Sequence, residues 1–424
     1  MTADGSGLDI RSRPFYKLLA LCALFGTLAA LLTVGFAAVY RTGSQILWTW
    51  LPGQLGLGEG VGSPLFVIVL CLTGGLLVGA ITRLTRVPPH LLAEELGELT
   101  TSGRMDPRHG LVGMLRGLVG LLFGGSIGPE GPLTGGSGAL GTLLADRLRL
   151  PGPATAAVTY ASISGMFGSF LSSPFGMAIL TIEGGLEKGK LSWKLLIPGI
   201  VASSVGYVIF FLITGYTFGG MYEFPAYEGL RAVHLAYALI LGLMGGAAGL
   251  LFIWLFKAMR KVSLPARSRP VGLALLAGLV LGVIGSAFPL TLFSGEAEIQ
   301  VLIDRAAELG IATLVVLGMV KIALTVTCLS LGWSGGYIFP SFFAGAALGL
   351  AVHLALPFIP EAVCLTCVIA GLSVALLRSP IALTFIVQTL FDARLAPVIA
   401  IAVLAAFLLT YRVELIPGAE APAG

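Results

Sequence analysis

An apolar run from Leu111 to Phe123 breaks at Gly124-Gly125-Ser126-Ile127-Gly128-Pro129-Glu130-Gly131-Pro132, and small apolar residues continue beyond it. A carboxylate among glycines and prolines at that depth does not fit an unbroken helix facing lipid. Non-helical backbone inside a membrane is tolerated only where protein or water surrounds it, so the stretch reads as the lining of a pathway. A helix restarts near Pro129 or Glu130, since a proline in the first turn gives up no intrahelical bond. That N-terminus offers free N–H groups and the positive end of the helix dipole, which suits an anion. Glu130 is itself an anion and competes for the place, which makes it a candidate gate and proton acceptor.

Composition enters here because the argument needs a membrane. Of 424 residues only 11% are charged, against about 25% in a soluble domain. The net charge of +4 follows from basic residues kept on one side of the bilayer and calls for no nucleic acid. Arg11, Arg13 and Lys17 precede a first run, Leu18 to Tyr40, long enough to span and entered from the cytoplasm. Residues 41–63, with Trp48 and Trp50, read as an outside loop, and Pro64 to Thr82 returns to a basic side. Glu94, Glu95 and Glu98 follow on a short helix and read as a solvated face. A helix at 131–148 leaves the central stretch, and further apolar segments lie near 154–171, 174–184, 193–216, 231–256, 271–288, 311–331, 339–357, 362–377, 379–391 and 395–411. Several are too short for upright spans, so an all-α polytopic membrane protein with broken and re-entrant helices is expected, multi-pass in the cell membrane. Tyr411 lies near the end, and no cytoplasmic regulatory domain is expected.

The glycine and proline pattern repeats. Gly124, Ser126, Gly128 and Pro132 recur as Gly332, Ser334, Gly336 and Pro340, and Ser173-Pro174 as Ser379-Pro380. Two motif pairs in one order at nearly one offset indicate an internal repeat, with halves expected at 1–224 and 225–424. The first run has its basic cluster at its start, whereas 231–256 has Lys257, Arg260, Lys261, Arg267 and Arg269 beyond its end. Positive-inside orientation therefore inverts one half against the other. Inverted repeats with broken helices meeting at mid-membrane are transporter architecture. The two restarted helices, near Glu130 and near Tyr337, converge on one site with positive ends, so the substrate is expected to be an anion.

These residues resemble the CLC family of chloride channels and chloride/proton exchangers, as a divergent bacterial-type member. Gly128-Pro129-Glu130-Gly131-Pro132 resembles its G-[KR]-E-G-P motif, and Lys321 to Thr325 with Ser334-Gly335-Gly336-Tyr337-Ile338-Phe339-Pro340 resembles its K-x-x-x-T…G-G-x-F-x-P region. Ser173-Pro174 through Ile182-Glu183 is similar to its N-A-P-x-x-G…I-E helix, and Phe293-Ser294-Gly295-Glu296 to its second glycine-rich turn. The resemblance spans roughly residues 15–411. It implies an anion site built by Gly128, Glu130, Gly131, Tyr337, Ile338 and Phe339, largely through backbone, with Thr85 of Leu84-Thr85-Arg86-Val87-Pro88 as the hydroxyl of the family's first motif. It also implies a homodimer with one pathway per subunit.

The departures carry information too. Pro129 replaces the basic residue before the glutamate, and Ile338 stands where the family has phenylalanine. Gly184 stands at the exchangers' inner proton glutamate, one place after Glu183. The inner tyrosine is missing, with Phe391 or Asp392 expected at that gate. These departures favour passive or loosely proton-coupled conduction of chloride or a related small anion. Tightly coupled chloride/proton antiport is the alternative, and an inverted-repeat transporter of a larger anion the runner-up, which predicts exposed arginines near the motifs. Arg116 and Lys321 lie in apolar helices, either as structural cations or as a field drawing anions. Cys364 and Cys367 read as packing, no histidine spacing suits a metal, and no nucleotide loop occurs; neither cofactor nor enzyme activity is expected.

Overall fold

The computed structural model describes residues 12–57, 63–187, 193–217 and 219–413. The first half opens with α1 (Arg13–Gln45), which passes through a π turn at Ile46–Trp50 into α2 (Leu51–Gln54). Then come α3 (Pro64–Thr85), α4 (Leu92–Ser102), α5 (Pro107–Leu122), α6 (Glu130–Arg147), α7 (Gly152–Leu171), α8 (Pro174–Glu187) and α9 (Leu196–Thr214). The second half comprises α10 (Ala232–Ser263), α11 (Pro270–Ala287), α12 (Glu296–Asp304), α13 (Ala306–Ser330), α14 (Ile338–Ala355), α15 (Glu361–Leu377), α16 (Pro380–Leu390) and α17 (Ala396–Thr410). Much of the expected outside loop at 41–63 is thus helical, because the aromatic segment continues α1 instead of leaving it.

Eight helical stretches among the described residues are long and apolar enough to cross a membrane. Their starts follow local rules. Ser12, Ser63 and Asp106 accept hydrogen bonds from first-turn N–H groups, and each is followed by a proline in that turn.

The repeat extends into backbone conformations that side chains resist. Left-handed residues occur at Arg86 and Phe293 (φ 58° and 57°), Gly103 and Gly310 (67° and 75°), Gly124 and Gly332 (86° and 97°), and Ser172 and Arg378 (54° and 55°). Each pair stands 206 to 208 positions apart, so helix ends and turns recur together. Equivalent helices also pack on one another, as elements beside a two-fold axis must. Along α3 and α11, a Cβ on Gly75 would lie 2.4 Å from the Ala274 carbonyl oxygen, and one on Gly278 would lie 2.4 Å from that of Cys71. Small residues here let two membrane helices meet backbone to backbone.

One end of the molecule is basic. The close of α3, the turn into α4 and the α10–α11 connection surround a cavity of about 1920 Å³ lined by Arg83, Arg86, Arg260, Lys261, Arg267 and Arg269 among others. Glu94 crosses its wall in an ion pair with Arg260 at 3.0 Å. The inverted halves thus gather their positive charge at one mouth, as the positive-inside pattern requires.

Candidate functional site

Two broken helices build the centre. Helix α5 ends at Leu122, and the left-handed Gly124 turns the chain so that Gly128 precedes the start of α6 at Glu130. In the other half α13 ends at Ser330, Gly332 makes the equivalent turn, and Gly336 precedes the start of α14 at Ile338. Gly128 and Gly336 then form an antiparallel bridge, N–H to carbonyl at 2.8 Å one way and 2.7 Å the other. Repeat-equivalent residues thus bond to each other, and the pseudo-two-fold axis runs between them.

The Glu130 side chain folds into the slot beside that bridge. Its Oε1 accepts the N–H of Ile338 at 2.5 Å, so the carboxylate caps the positive end of α14. Oε2 is buried without a hydrogen-bond partner among the described residues. The slot exists because its walls lack side chains: a Cβ on Gly128 would lie 1.9 Å from Oε2, and one on Gly336 would lie 2.0 Å from Oε1. Gly131 closes it, with its Cβ position 2.8 Å from the Gly335 carbonyl carbon. Tyr337, Ile338 and Phe339 are almost wholly buried around it. Phe339 packs edge-on against Phe170 at 5.1 Å between ring centres, and Tyr337 lies 6.2 Å from Phe252. Six of the expected residues, Gly128, Glu130, Gly131, Tyr337, Ile338 and Phe339, therefore meet in one place.

The other expected residues do not join them. Thr85 donates its hydroxyl to the Ile81 carbonyl of its own helix at 2.7 Å, so that proton is committed within α3. Glu183 accepts from the Ile381 and Ala382 N–H groups at 3.1 and 3.0 Å, capping α16. Phe391 and Asp392 require a correction. They follow the far end of α16, where Phe391 stacks on Phe224 at 4.0 Å. Phe224 precedes the start of α10, whereas the basic cavity is lined by residues near that helix's other end. Neither residue can form an inner gate. Asp392 pairs with Arg394 at 2.6 Å, and its hydrogen bonds to Arg394 hold its carboxyl down to about 2.

Two buried cations hold the frame. Arg116 donates from Nε to Ser334 Oγ at 2.5 Å and from its other nitrogens to Thr82 Oγ1, the Val87 carbonyl and the Pro88 carbonyl at 2.9 to 3.0 Å. It ties the cavity loop of one half to the broken-helix motif of the other. Lys321 donates to the Thr291, Leu292 and Phe293 carbonyls at 3.2, 3.2 and 2.8 Å, fastening the turn before α12.

The expectation for α4 also needs correcting. Glu95 is only 5% exposed and points inward, while Glu94 and Glu98 line the cavity. The signal lay in the period: Leu92, Glu95, Leu96 and Leu99 share one helical face at i, i+3, i+4 and i+7. Among the described residues no group of three His, Cys, Asp or Glu is placed to hold a metal ion.

Comparison with known proteins gives the family and the fold. The profile described as "Voltage gated chloride channel" matches residues 74–411. The chain is 30% identical over 407 residues to the ion-transport protein YfeO of Salmonella newport, covering 94% of this chain and 96% of that protein. The Salmonella paratyphi A counterpart is 29% identical over the same length and shares. Among solved structures, a slow cyanobacterial Cl−/H+ antiporter superposes with a TM-score of 0.77 at 17% identity, covering 92% of this chain and 94% of that one. A CLC-type fluoride/proton antiporter gives 0.73 at 19% identity, covering 96% and 98%.

Proposed function

The chain belongs to the voltage gated chloride channel family, and from that premise we propose that it carries chloride or a related small anion past Glu130, whose carboxylate serves as gate. The observation that carries this is the capture of Glu130 Oε1 by the Ile338 N–H at the N-terminus of α14. A carboxylate held by a helix N-terminus occupies the place an anion would take, so the described conformation corresponds to a closed pathway. Uptake of a proton removes the charge that binds the side chain there, and the slot becomes free for an anion.

Slot size favours a small anion. The walls are glycine backbone, and a single added carbon would already collide with the carboxylate. A larger anion held by arginine forks finds little support, since the Arg116 guanidinium is already bonded to four protein acceptors. Loose coupling to protons is the reading for transport mode: Gly184 supplies no carboxylate and Glu183 is engaged in capping α16. Tight antiport remains the second reading, favoured by one observation, a second buried carboxylate at Glu95.

The test is flux from purified protein in liposomes with chloride and protons followed together. Wild type should release chloride faster as pH falls, and Glu130→Ala should conduct without that dependence. A folded Glu130→Ala protein that keeps the wild-type pH response would refute the gating role. Stoichiometric uphill proton movement driven by chloride would replace loose coupling with tight exchange.

A further inference from the structure

The basic cavity is far larger than a small anion needs. At about 1920 Å³ it exceeds the pockets that hold most small molecules, about 300–1,000 Å³. Positive-inside bias accounts for basic residues on this side of the membrane. It does not account for their convergence on one cavity with nothing to neutralise them.

Charge in the wall is unevenly spent. The three acidic lining residues are all engaged: Glu94 pairs with Arg260, Glu98 accepts the Asp106 N–H at 2.8 Å, and Asp106 accepts the N–H groups of Arg108 and His109 at 2.8 and 3.3 Å. Six cations of the wall have no acidic partner among the described residues: Arg83 and Arg86 at the end of α3, and Lys257, Lys261, Arg267 and Arg269 at the end of α10 and beyond it. All but Lys257 are exposed.

The two groups of cations are held in place from behind. One turn before Arg83, a Cβ on Gly79 would lie 2.6 Å from the Val271 Cα, so α3 and α11 touch backbone to backbone just where the cavity begins. The basic end of one half therefore cannot drift from that of the other. Guanidinium groups at fixed spacing favour a polyatomic oxyanion, since each can give a phosphate two parallel N–H bonds.

Beside these cations stand exposed apolar side chains. Leu84, between Arg83 and Arg86, is 82% exposed, and Val262 and Leu264, after Lys261, are 80% and 50% exposed. A soluble ligand has no use for them, whereas acyl chains do. Basic pockets between membrane helices on the cytoplasmic side take lipid phosphates in this way.

We propose that the cavity is a binding site for a diphosphate-bearing anion, the headgroup of a diphosphatidyl phospholipid, and that occupancy slows anion entry at this mouth. One phosphate meets Arg83 and Arg86, and the other meets Arg267 and Arg269. The positive field of the empty cavity concentrates the transported anion. Two bound phosphates cancel that field while leaving the slot at Glu130 untouched.

Binding is tested on the purified full chain, and its outcome does not depend on the role of Glu130. In native mass spectrometry, wild type should retain tetraoleoyl cardiolipin in preference to phosphatidylglycerol. Two double variants on different elements, Arg83→Gln with Arg86→Gln and Arg267→Gln with Arg269→Gln, should each bind it about 10- to 30-fold more weakly. Inorganic pyrophosphate is the soluble arm: protection of wild type against thermal unfolding by pyrophosphate, without lipid preference, supports the diphosphate site with a soluble source. Retention of neither ligand, or equal retention by wild type and both variants, overturns the site. The flux arm rests on anion conduction. Chloride efflux by wild type should be about threefold or more slower in cardiolipin vesicles than in phosphatidylglycerol vesicles of equal surface charge. The double variants should show no such difference. Equal wild-type flux in the two lipids, with cardiolipin bound, overturns the regulatory role.

Discussion

The Glu130 carboxylate accepts its hydrogen bond from the residue that stands in its own place in the other half. Ile338 has no side-chain charge to offer, so one gate serves two converging helices, and symmetry is broken by a single residue. The glycines beside it are equally specific. Gly336→Ala would put a carbon 2.0 Å from Oε1, and both the carboxylate and a bound anion would lose the slot. This variant and Glu130→Ala should therefore part company. Glu130→Ala keeps anion binding and conducts freely, whereas Gly336→Ala should lose binding in calorimetry and conduct at a small fraction of the wild-type rate. Equal binding by the two variants would mean that the anion sits elsewhere. Arg116 makes a different residue-scale point, since its planar fork reaches four acceptors at once. Arg116→Lys reaches fewer of them, leaving buried carbonyls unpaired at about 1–3 kcal/mol in all. A lower melting temperature in detergent is expected, and a lysine variant as stable as wild type would show that the ties matter little.

Among the elements, the broken helices were legible and their partners were not. Gly124, Pro129 and Pro132 fix where α5 stops and α6 starts, because glycine accepts the left-handed turn and proline the first helical turn. Gly332 repeats the turn in the other half, and the six central residues follow from those breaks. Hydrogen bonds made 208 residues away, such as Ile338 to Glu130, leave no local trace beyond the repeat itself. Two misreadings have physical causes. Three glutamates close together suggest water and a solvated face for Glu95, although the helical period puts it with the leucines. Position near the last helix suggests an inner gate at Phe391 and Asp392, although the direction of α16 carries them away from the basic mouth. The packing of α3 on α11 gives the prediction for this scale. Gly75→Leu would drive a side chain into the Ala274 backbone, where overpacking costs about 1–3 kcal/mol and backbone cannot yield as a side chain does. The variant should show a smaller monodisperse fraction and a lower melting temperature in mild detergent; an unaffected profile would mean that the two helices separate easily.

At the scale of the whole molecule, every group around the slot comes from one chain: Gly128, Glu130 and Gly131 from the first half, Gly336, Tyr337, Ile338 and Phe339 from the second. We therefore propose that each chain carries its own pathway. Away from that centre, α8, α9, α16 and α17 pack as a group and turn large apolar side chains outward, Phe175, Leu212, Ile381 and Leu408 among them. These are the segments that the resemblance assigns to a subunit interface, and we propose that two copies meet there about a two-fold axis. Such an interface is isologous, so the same patch serves both subunits and the assembly closes at two. Complete pathways within a dimer make a specific prediction for mixed particles. When wild-type and Glu130→Ala chains are co-purified through two different tags, the pH response should be the average of the two parents, one pathway responding and one not. Cross-linking in mild detergent should stop at the dimer, and a purely monomeric protein would reject the interface. A mixed dimer that follows one parent entirely would show that a single gate is shared, contrary to a slot built wholly from one chain.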